Sequence, residues 1–543
     1  MLYEEALKTL AALGPELRIG NTADATPRKF TLDHIRTLLS ALGEPQKKFR
    51  SVLIAGTNGK GSTAATLASI SATAGLRTGL YTSPHLARVN ERMRVSPRTA
   101  SGSAPELAEI PDADFGRLFG QVYTRAAELV EANALPHTPS FFELLTAVSF
   151  LHFAERNVEL AVLEVGLGGR LDATNVVDPI LSIITDIGID HTEFLGNTLT
   201  EIAGEKAGIL RQDGVLVTLS QHPEANAAIG ERAMALNVRG VDASRCLPPR
   251  GFVGDSAGNT MRGDHGPTRE EPYPLLPVAA ASNANEREGP APIAHAASAT
   301  GDFPGAQHAE GEEPSPLGRN RYPLSIDGEI LFIDSPLSGH HQQRNIALAV
   351  AAALELRANH GFVLPNDAIE AGVRATVWPG RLEWIPSSPA AAHPHAPLLL
   401  DVAHNPAGAW TLRAALAQLP DERPRTLIFS CLADKQIEEM ARILLPLFDP
   451  TSGDPIRRRD HIVLAPIPNP RAATVEQLLA AAHALDIPAH VAPHLAGALA
   501  QAEALTPHDG IIVATGSVYL VGELRILALA HRATGAQKET ART

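Results

Sequence analysis

The sequence predicts an α/β protein of two units: a P-loop ATPase-like N-terminal domain with a disordered insertion, and a smaller Rossmann-like C-terminal domain. Three observations carry this. Short apolar runs alternate with helical patterns along most of the chain, as βαβ units on a mostly parallel sheet require. The first strong run, SVLIAG at 51–56, leads directly into a glycine-rich turn and a helix of small residues. WPGRLEWI at 378–385 interrupts the helical pattern with Pro-Gly, after which the alternation restarts, which marks a hinge at 378–384.

In the first unit, residues 1–377, the buried-strand candidates are 51–56, 79–83, 160–166, 181–188 and 214–219. Helices are expected at Lys60–Ala74, 141–156 and 199–210 between them. From about Asp242 to Tyr322 the chain turns rich in Pro, Gly, Ala, Ser, Asn and Glu. Such a composition buries too little apolar area to offset chain entropy, so 242–322 reads as a disordered insertion. Order returns with strand-like RYPLSIDGEILFID (321–334) and a helix at 344–358. The second unit, 385–543, offers strands at 398–402, 425–432, 461–466 and 510–516, with helices expected from Pro406 and from Asp434.

Composition narrows the class of function. The chain has 543 residues, 44% hydrophobic and 20% charged, which suits more than one globular domain. Its net charge of -14 leaves no basic excess to displace counterions, so nucleic acid is not an expected partner. Two cysteines far apart, Cys246 and Cys431, give neither a disulfide framework nor a metal spacing and fit a reducing cytoplasm. MLYEEALKTLAALG lacks a basic segment ahead of an apolar run, and no run of eighteen apolar residues occurs, so neither a signal peptide nor a membrane span is expected.

The glycine-rich turn holds Thr57, Asn58, Gly59, Lys60, Gly61 and Ser62. Glycines let the backbone turn tightly and aim N–H groups at phosphate oxygens where a helix begins, and Lys60 adds a point charge. The spacing departs from the common P-loop, because Gly61 stands where a hydroxyl residue would ligate Mg²⁺ and Ser62 follows one place late. The metal then draws oxygen ligands from strand ends, where a parallel sheet delivers them. Candidates are Ser83, Glu164, Asp186, Asp190 and His191. Ser83 before Pro84 also suits a turn cap, and His191 also suits a satisfied core histidine. Glu164, ending an apolar strand, asks for a partner, since a lone buried carboxylate is costly.

GTNGKGS (56–62), TSPHL (82–86), NER (90–92), LEVGLGGRLDATN (163–175), DIGIDHTEFLG (186–196) and IAGEKAGI (202–209) follow in one order over some 160 residues. HHQQRN (340–345), PGR (379–381), DVAHNP (401–406) and GSVYLVGE (516–523) continue the series beyond the insertion. This set resembles the folylpolyglutamate synthase and bifunctional dihydrofolate synthase family of the Mur-ligase superfamily. The resemblance implies an ATP-dependent ligase that adds L-glutamate to dihydropteroate or reduced folates through an acyl phosphate. It implies Ser83, Glu164 and His191 as ligands of Mg²⁺, with two ions in the site, and Thr57 to Ser62 with Asn345, Arg381 and Asp401 as the ATP site. It also implies Lys206 carried as a carbamate and His404 beside the reacting phosphate; by themselves these could pair with a neighbouring acid and cap a helix.

For the pterin, the resemblance points to Phe30 and Thr31, to Ser140, Phe141, Phe142 and Glu143, and to Leu171, Asp172 and Ala173. Asp172 could accept from the ring's N–H groups and the two phenylalanines could stack, or simply form a helix core. Ser517 and Tyr519 are candidates for the incoming glutamate. The GRLDATN form is closer to bifunctional enzymes than to those that only polyglutamylate, which remains the nearest alternative. A Mur-type peptidoglycan ligase would be expected to carry roughly a hundred residues before the loop; about fifty precede Gly56 here. A nucleotide switch without chemistry would not need the metal ligands, Asp401 and His404 together. A monomer with small-molecule partners only is expected.

Overall fold

The chain is described from a computed structural model that covers residues 1–14, 31–97, 107–249, 315–387 and 395–540, with side chains through 530. Phe30 and residues 250–314 of the expected insertion lie outside the described residues.

The strands of the first unit are β1 (Arg50–Ala55), β2 (Thr78–Tyr81), β3 (Met93–Val95), β4 (Ala108–Glu109), β5 (Leu160–Glu164), β6 (Leu181–Ile184), β7 (Val215–Thr218) and β8 (Arg239–Asp242). They form one sheet in the order β4-β3-β2-β5-β1-β6-β7-β8, with β3 and β4 antiparallel at one edge and the rest parallel. In β1 alternate residues face opposite layers: Leu53 and Ala55 join one core, Val52 and Ile54 the other. Every residue of β1 after Arg50 is buried, as expected for a central parallel strand covered on both faces.

One layer contains the helices Tyr3–Ala12, Asp33–Ala41, Asp112–Glu131 and Phe141–Glu155. The other contains Lys60–Thr73, His340–Asn359 and Asn366–Arg374, with a hairpin of β9 (Asn320–Ile326) and β10 (Glu329–Ser335). Lys60–Thr73 is buried on all sides, which explains its small residues: Gly372 of a crossing helix packs so closely that a Cβ there would lie 2.4 Å from Ile70 Cα.

The second unit contains β11 (Glu383–Ile385), β12 (Leu398–Leu400), β13 (Arg425–Phe429), β14 (His461–Leu464), β15 (His490–Val491) and β16 (Ile511–Thr515). The order is β11-β12-β16-β13-β14-β15, parallel except at β11. Cores on its two faces are built around Leu399, Phe429 and Val513, and around Leu400, Ile428 and Ala514. The helix expected from Asp434 begins at Ile437, leaving Asp434 to Gln436 as a loop off β13.

Order reaches further into 242–322 than the composition suggests. Ala243–Cys246 forms a turn with Cys246 fully buried, and Tyr322, in β9, is buried in the same core. Two apolar anchors in a polar stretch escape a compositional reading but suffice to dock each end. Because those ends share one core, joining residue 249 to 315 through a short linker should leave the melting temperature within about 3 °C of the full chain. Differential scanning calorimetry checks this; a drop above about 8 °C would show that 250–314 supports the fold.

Candidate active site between the two domains

The carboxyl ends of β1, β5 and β6 lie side by side, since Ile54 pairs with Glu164 and Ala55 with Ile184. The phosphate loop leaves β1 there and is braced on the β6 end by Thr57 N–H donating to Asp186 O at 2.8 Å. Gly59 adopts φ 89° at the helix start, and a Cβ would lie 2.1 Å from Asn345 Oδ1, so only glycine fits. Gly61 answers to a different neighbour: a Cβ would lie 2.7 Å from Trp378 Cζ2, in the hinge. The indole therefore occupies the space that a hydroxyl residue takes in the common loop.

Lys60 Nζ donates to the carbonyls of Gly56 (3.0 Å) and Thr57 (3.1 Å), and Lys206 Nζ donates to the same Gly56 carbonyl at 2.7 Å. Lys206 is 4% exposed; burial first, and the charge of Lys60 second, push its pKa down to about 7. Half of its amines are therefore neutral near pH 7.

Glu164 sits at the end of β5 and is 5% exposed, accepting from Ser83 N–H at 3.1 Å. Burial raises its pKa, opposed by Lys60, the Ser83 N–H and Arg381. Ser83 Oγ is buried without a hydrogen-bond partner. An under-compensated carboxylate beside an unused hydroxyl oxygen is the donor set a hard cation requires. His191 stands at φ 51° before the short helix Thr192–Leu195, its pKa lowered to about 4 by burial against the opposing pull of Asp190. A neutral imidazole is the form that binds a metal. Among the described residues no three His, Cys, Asp or Glu side chains form a ready-made metal cluster. Asp186, the other acid considered, is taken by Arg344 in a forked pair at 2.6–3.0 Å.

The second domain closes over this edge. Asp401, at the end of β12, accepts from Leu382 N–H (3.0 Å) and Ala403 N–H (2.9 Å), tying the hinge to the following loop. Burial raises its pKa, opposed by Arg381. Arg381 is packed 5.9 Å from the Trp378 ring. His404 Nδ1 lies 2.9 Å from Val402 O, leaving Nε2 toward Asp190 at 3.7 Å. Asn405 caps the helix Pro406–Leu416 through Gly408 N–H (2.8 Å), and its Nδ2 reaches Asn58 Oδ1 in the phosphate loop at 3.2 Å. Lys435, in the loop after β13, pairs with Asp190 at 2.9 Å. Burial would raise the Asp190 carboxyl, but His404, Lys435 and His191 together hold it far below the usual carboxylate range.

The residues expected around a pterin form a separate group on the opposite layer. Ser140 and Glu143 cap the helix Phe141–Glu155 reciprocally, with Ser140 Oγ 2.7 Å from Glu143 Oε2. Phe142 faces Tyr81 at 6.2 Å, and Phe141 lies 5.5 Å under the Arg92 guanidinium. Asp172 differs from expectation: its carboxylate accepts from the N–H groups of Gly166, Leu167 and Thr174 and from the Thr174 hydroxyl. Those four donors saturate it, so it organises the turn in which half-buried Leu171 and buried Ala173 sit. Thr31 hydrogen-bonds Asp33 at 2.7 Å ahead of the helix Asp33–Ala41, which packs on both the Phe141–Glu155 helix and this turn. A cavity of about 350 Å³ lies behind the turn, lined by Arg36, Arg170, Arg211 and Arg232. Ser517 caps the last helix through Tyr519 N–H at 3.2 Å, beside the loop after β12, where Thr515 Oγ1 reaches Ala403 O at 3.4 Å.

The sequence reading missed Trp378, Asn405 and Lys435. Lys435 lies in the loop beyond β13 rather than at a strand end, and it and Asn405 matter through contacts far along the chain.

A phosphate loop facing a second α/β domain across a hinge, with acids at the strand ends between them, defines an ATP-dependent ligase of the Mur type. Residues 380–518 match the family model "Mur ligase, glutamate ligase domain". The chain is 31% identical over 498 residues to the folylpolyglutamate synthase of Lacticaseibacillus casei, covering 91% of this chain and 94% of that one. It is 31% identical to the dihydrofolate synthase/folylpolyglutamate synthase of Bacillus subtilis over 414 residues, 76% of this chain and 78% of the other. Among solved structures it resembles Mycobacterium tuberculosis folylpolyglutamate synthase complexed with ADP, with a TM-score of 0.72 at 28% identity, covering 97% and 98% of the two chains. The chain belongs to the folylpolyglutamate synthase/dihydrofolate synthase family of ATP-dependent glutamate ligases.

The Lys206 environment makes a pH prediction. Its folded pKa, about 7, lies below the ordinary 10.5, so between these values the unfolded chain binds a proton that the folded chain has lost. Stability should therefore rise as pH climbs from about 7 toward 10, and Lys206→Met should flatten that rise. Urea unfolding across this range measures it; equal slopes for both proteins would contradict the assignment.

Proposed function

We propose that the enzyme joins L-glutamate to dihydropteroate and to reduced folates, with ATP consumed through an acyl phosphate. The observation that supports this best is the meeting of the phosphate loop with the second-domain segment 401–405, tied by Asn405 to Asn58 at 3.2 Å. Two half-sites converge there: one that holds phosphate, and one that can present an amine.

In this reading the loop from Thr57 to Ser62 and Asn345 hold ATP from the first domain, and Arg381 and Asp401 hold it from the hinge and the second. Ser83, Glu164 and His191 would hold Mg²⁺, which when bound neutralises charge on the transferring phosphoryl group. The buried Ser83 hydroxyl and the under-compensated Glu164 support that fit, and a carbamate on neutral Lys206 would supply a further oxygen anion. The pterin carboxylate attacks the γ-phosphate in line, ADP leaves, and the glutamate amine displaces phosphate from the acyl carbon. His404, with Nε2 directed toward the cleft, stands beside the reacting phosphate, and Ser517 and Tyr519 would receive glutamate. The pterin would lie against Phe141, Phe142, Leu171 and Ala173, near Thr31 and the Ser140–Glu143 box, with Asp172 shaping the turn beneath it. The enzyme would work in the cytoplasm as a monomer, consistent with two buried free thiols and with the absence, among the described residues, of any helix able to cross a membrane.

Mass spectrometry of reactions with ATP, Mg²⁺, L-glutamate and either dihydropteroate or tetrahydrofolate should show the amide product from both. Product from neither would overturn the reading, and product from tetrahydrofolate alone would restrict it to polyglutamylation. Glu164→Gln should lower turnover on the order of 10³-fold; near wild-type turnover would remove Glu164 from the site.

A further inference from the structure

Asp190 belongs to the first domain but takes most of its partners from the second. Across the cleft it receives Lys435 Nζ at 2.9 Å, Asn405 Nδ2 at 3.1 Å and His404 Nε2 at 3.7 Å. From its own side, among the described residues, come the His191 N–H at 2.9 Å and that residue's ring at 3.9 Å. Both ion pairs that cross from second domain to first among the described residues end on this carboxylate. The Lys435 and Asp190 side chains are 7% and 9% exposed, so solvent screens the pair little.

The loop that carries Lys435 is braced. Ala433 N–H donates to Arg471 O at 2.8 Å, Ala473 N–H to Cys431 O at 2.9 Å, and Asp434 pairs with Arg471. The ammonium is thus presented by a fixed turn at the carboxyl end of β13. On the same side Asn405 connects three things at once: the helix cap at Gly408, Asp190 and Asn58.

We propose that Lys435 and Asp190 are positioning residues for the ligation step, forming a buried ionic latch that sets the second domain's His404 and Asn405 over the phosphate loop. Neither touches the reacting atoms. The latch acts on the geometry in which an amine held by one domain meets an acyl phosphate made on the other. It rests on the ligase reading above. Losing it should damage use of the amine far more than nucleotide binding, because the phosphate loop, Glu164 and Ser83 belong to the first domain and Asp401 is anchored by the Leu382 and Ala403 N–H groups rather than by the latch.

The test uses the full-length protein with Lys435→Met, Lys435→Arg, Asp190→Asn and the Asp190→Asn/Lys435→Met double variant. For Lys435→Met, kcat/KM for L-glutamate should fall about 100-fold, since misplacement of a reacting group by an ångström costs that order. ADP affinity should stay within about threefold of wild type, Lys435→Arg should recover part of the loss, and the double variant should be no worse than the more damaged single. Small-angle scattering with ADP should show a larger radius of gyration for Lys435→Met than for wild type. That reading needs no turnover, so a wild type inactive toward pterin carboxylates would sink the proposed function while leaving the latch testable. The latch is overturned if Lys435→Met keeps wild-type kcat/KM and compactness, if ADP affinity falls in proportion to activity, or if the two single losses multiply.

Discussion

Two lysine ammoniums converge on one carbonyl oxygen, that of Gly56, at 3.0 and 2.7 Å. Much of the site follows from that placement. Lys206, buried there, loses hydration and is also repelled by the charge of Lys60. Lys206 yields, its pKa displaced to about 7. Lys60 stands beside it at the start of the helix, with Glu164 at the neighbouring strand end. In the proposed function this region receives anions and metal together: phosphate oxygens at Lys60, a hard cation at Glu164 and the Ser83 hydroxyl.

The hinge contributes more than flexibility. Trp378 packs on the helix start at Gly61, while Arg381 and the Asp401-anchored loop lead on into the second domain. The loop's departure from common spacing is therefore a packing matter as well as a chemical one. A residue with a side chain at 61 would collide with the indole, and the proposed function takes its metal ligands from the β2 and β5 ends instead. Gly522 extends the same interface: a Cβ there would lie 1.9 Å from Leu86 O, so the last helix of the second domain rests directly on the TSPHL loop. At Gly522 the two domains meet backbone to backbone, while at Gly61 the hinge indole fills the space.

The sequence disclosed what parallel sheets make periodic. Buried strands such as LAVLE and LSIIT, and the loop at the end of β1, were legible because each pattern is local. Strand-end acids were legible for the same reason, and Glu164 and Ser83 do meet. A carboxylate in a turn and one facing a ligand look alike in sequence, so the four internal donors to Asp172, all within six residues of it, could not be read there. Lys435 and Asn405 were invisible for the opposite reason, their partners lying 245 and 215 residues away. The edges of the polar stretch at 242–322 escaped because two buried residues, Cys246 and Tyr322, do not shift an average over eighty.

The account stands or falls on carboxylate activation by phosphoryl transfer, with the two domains bringing acyl phosphate and amine together. Oxygen-isotope transfer tests this most directly. With the pterin substrate's carboxylate labelled with oxygen-18, the acyl-phosphate route predicts that each inorganic phosphate released with amide carries one labelled oxygen from that carboxylate. Amide formation with unlabelled phosphate would contradict the account, because the oxygen lost from the carboxylate would then have left by a route other than transfer to phosphorus.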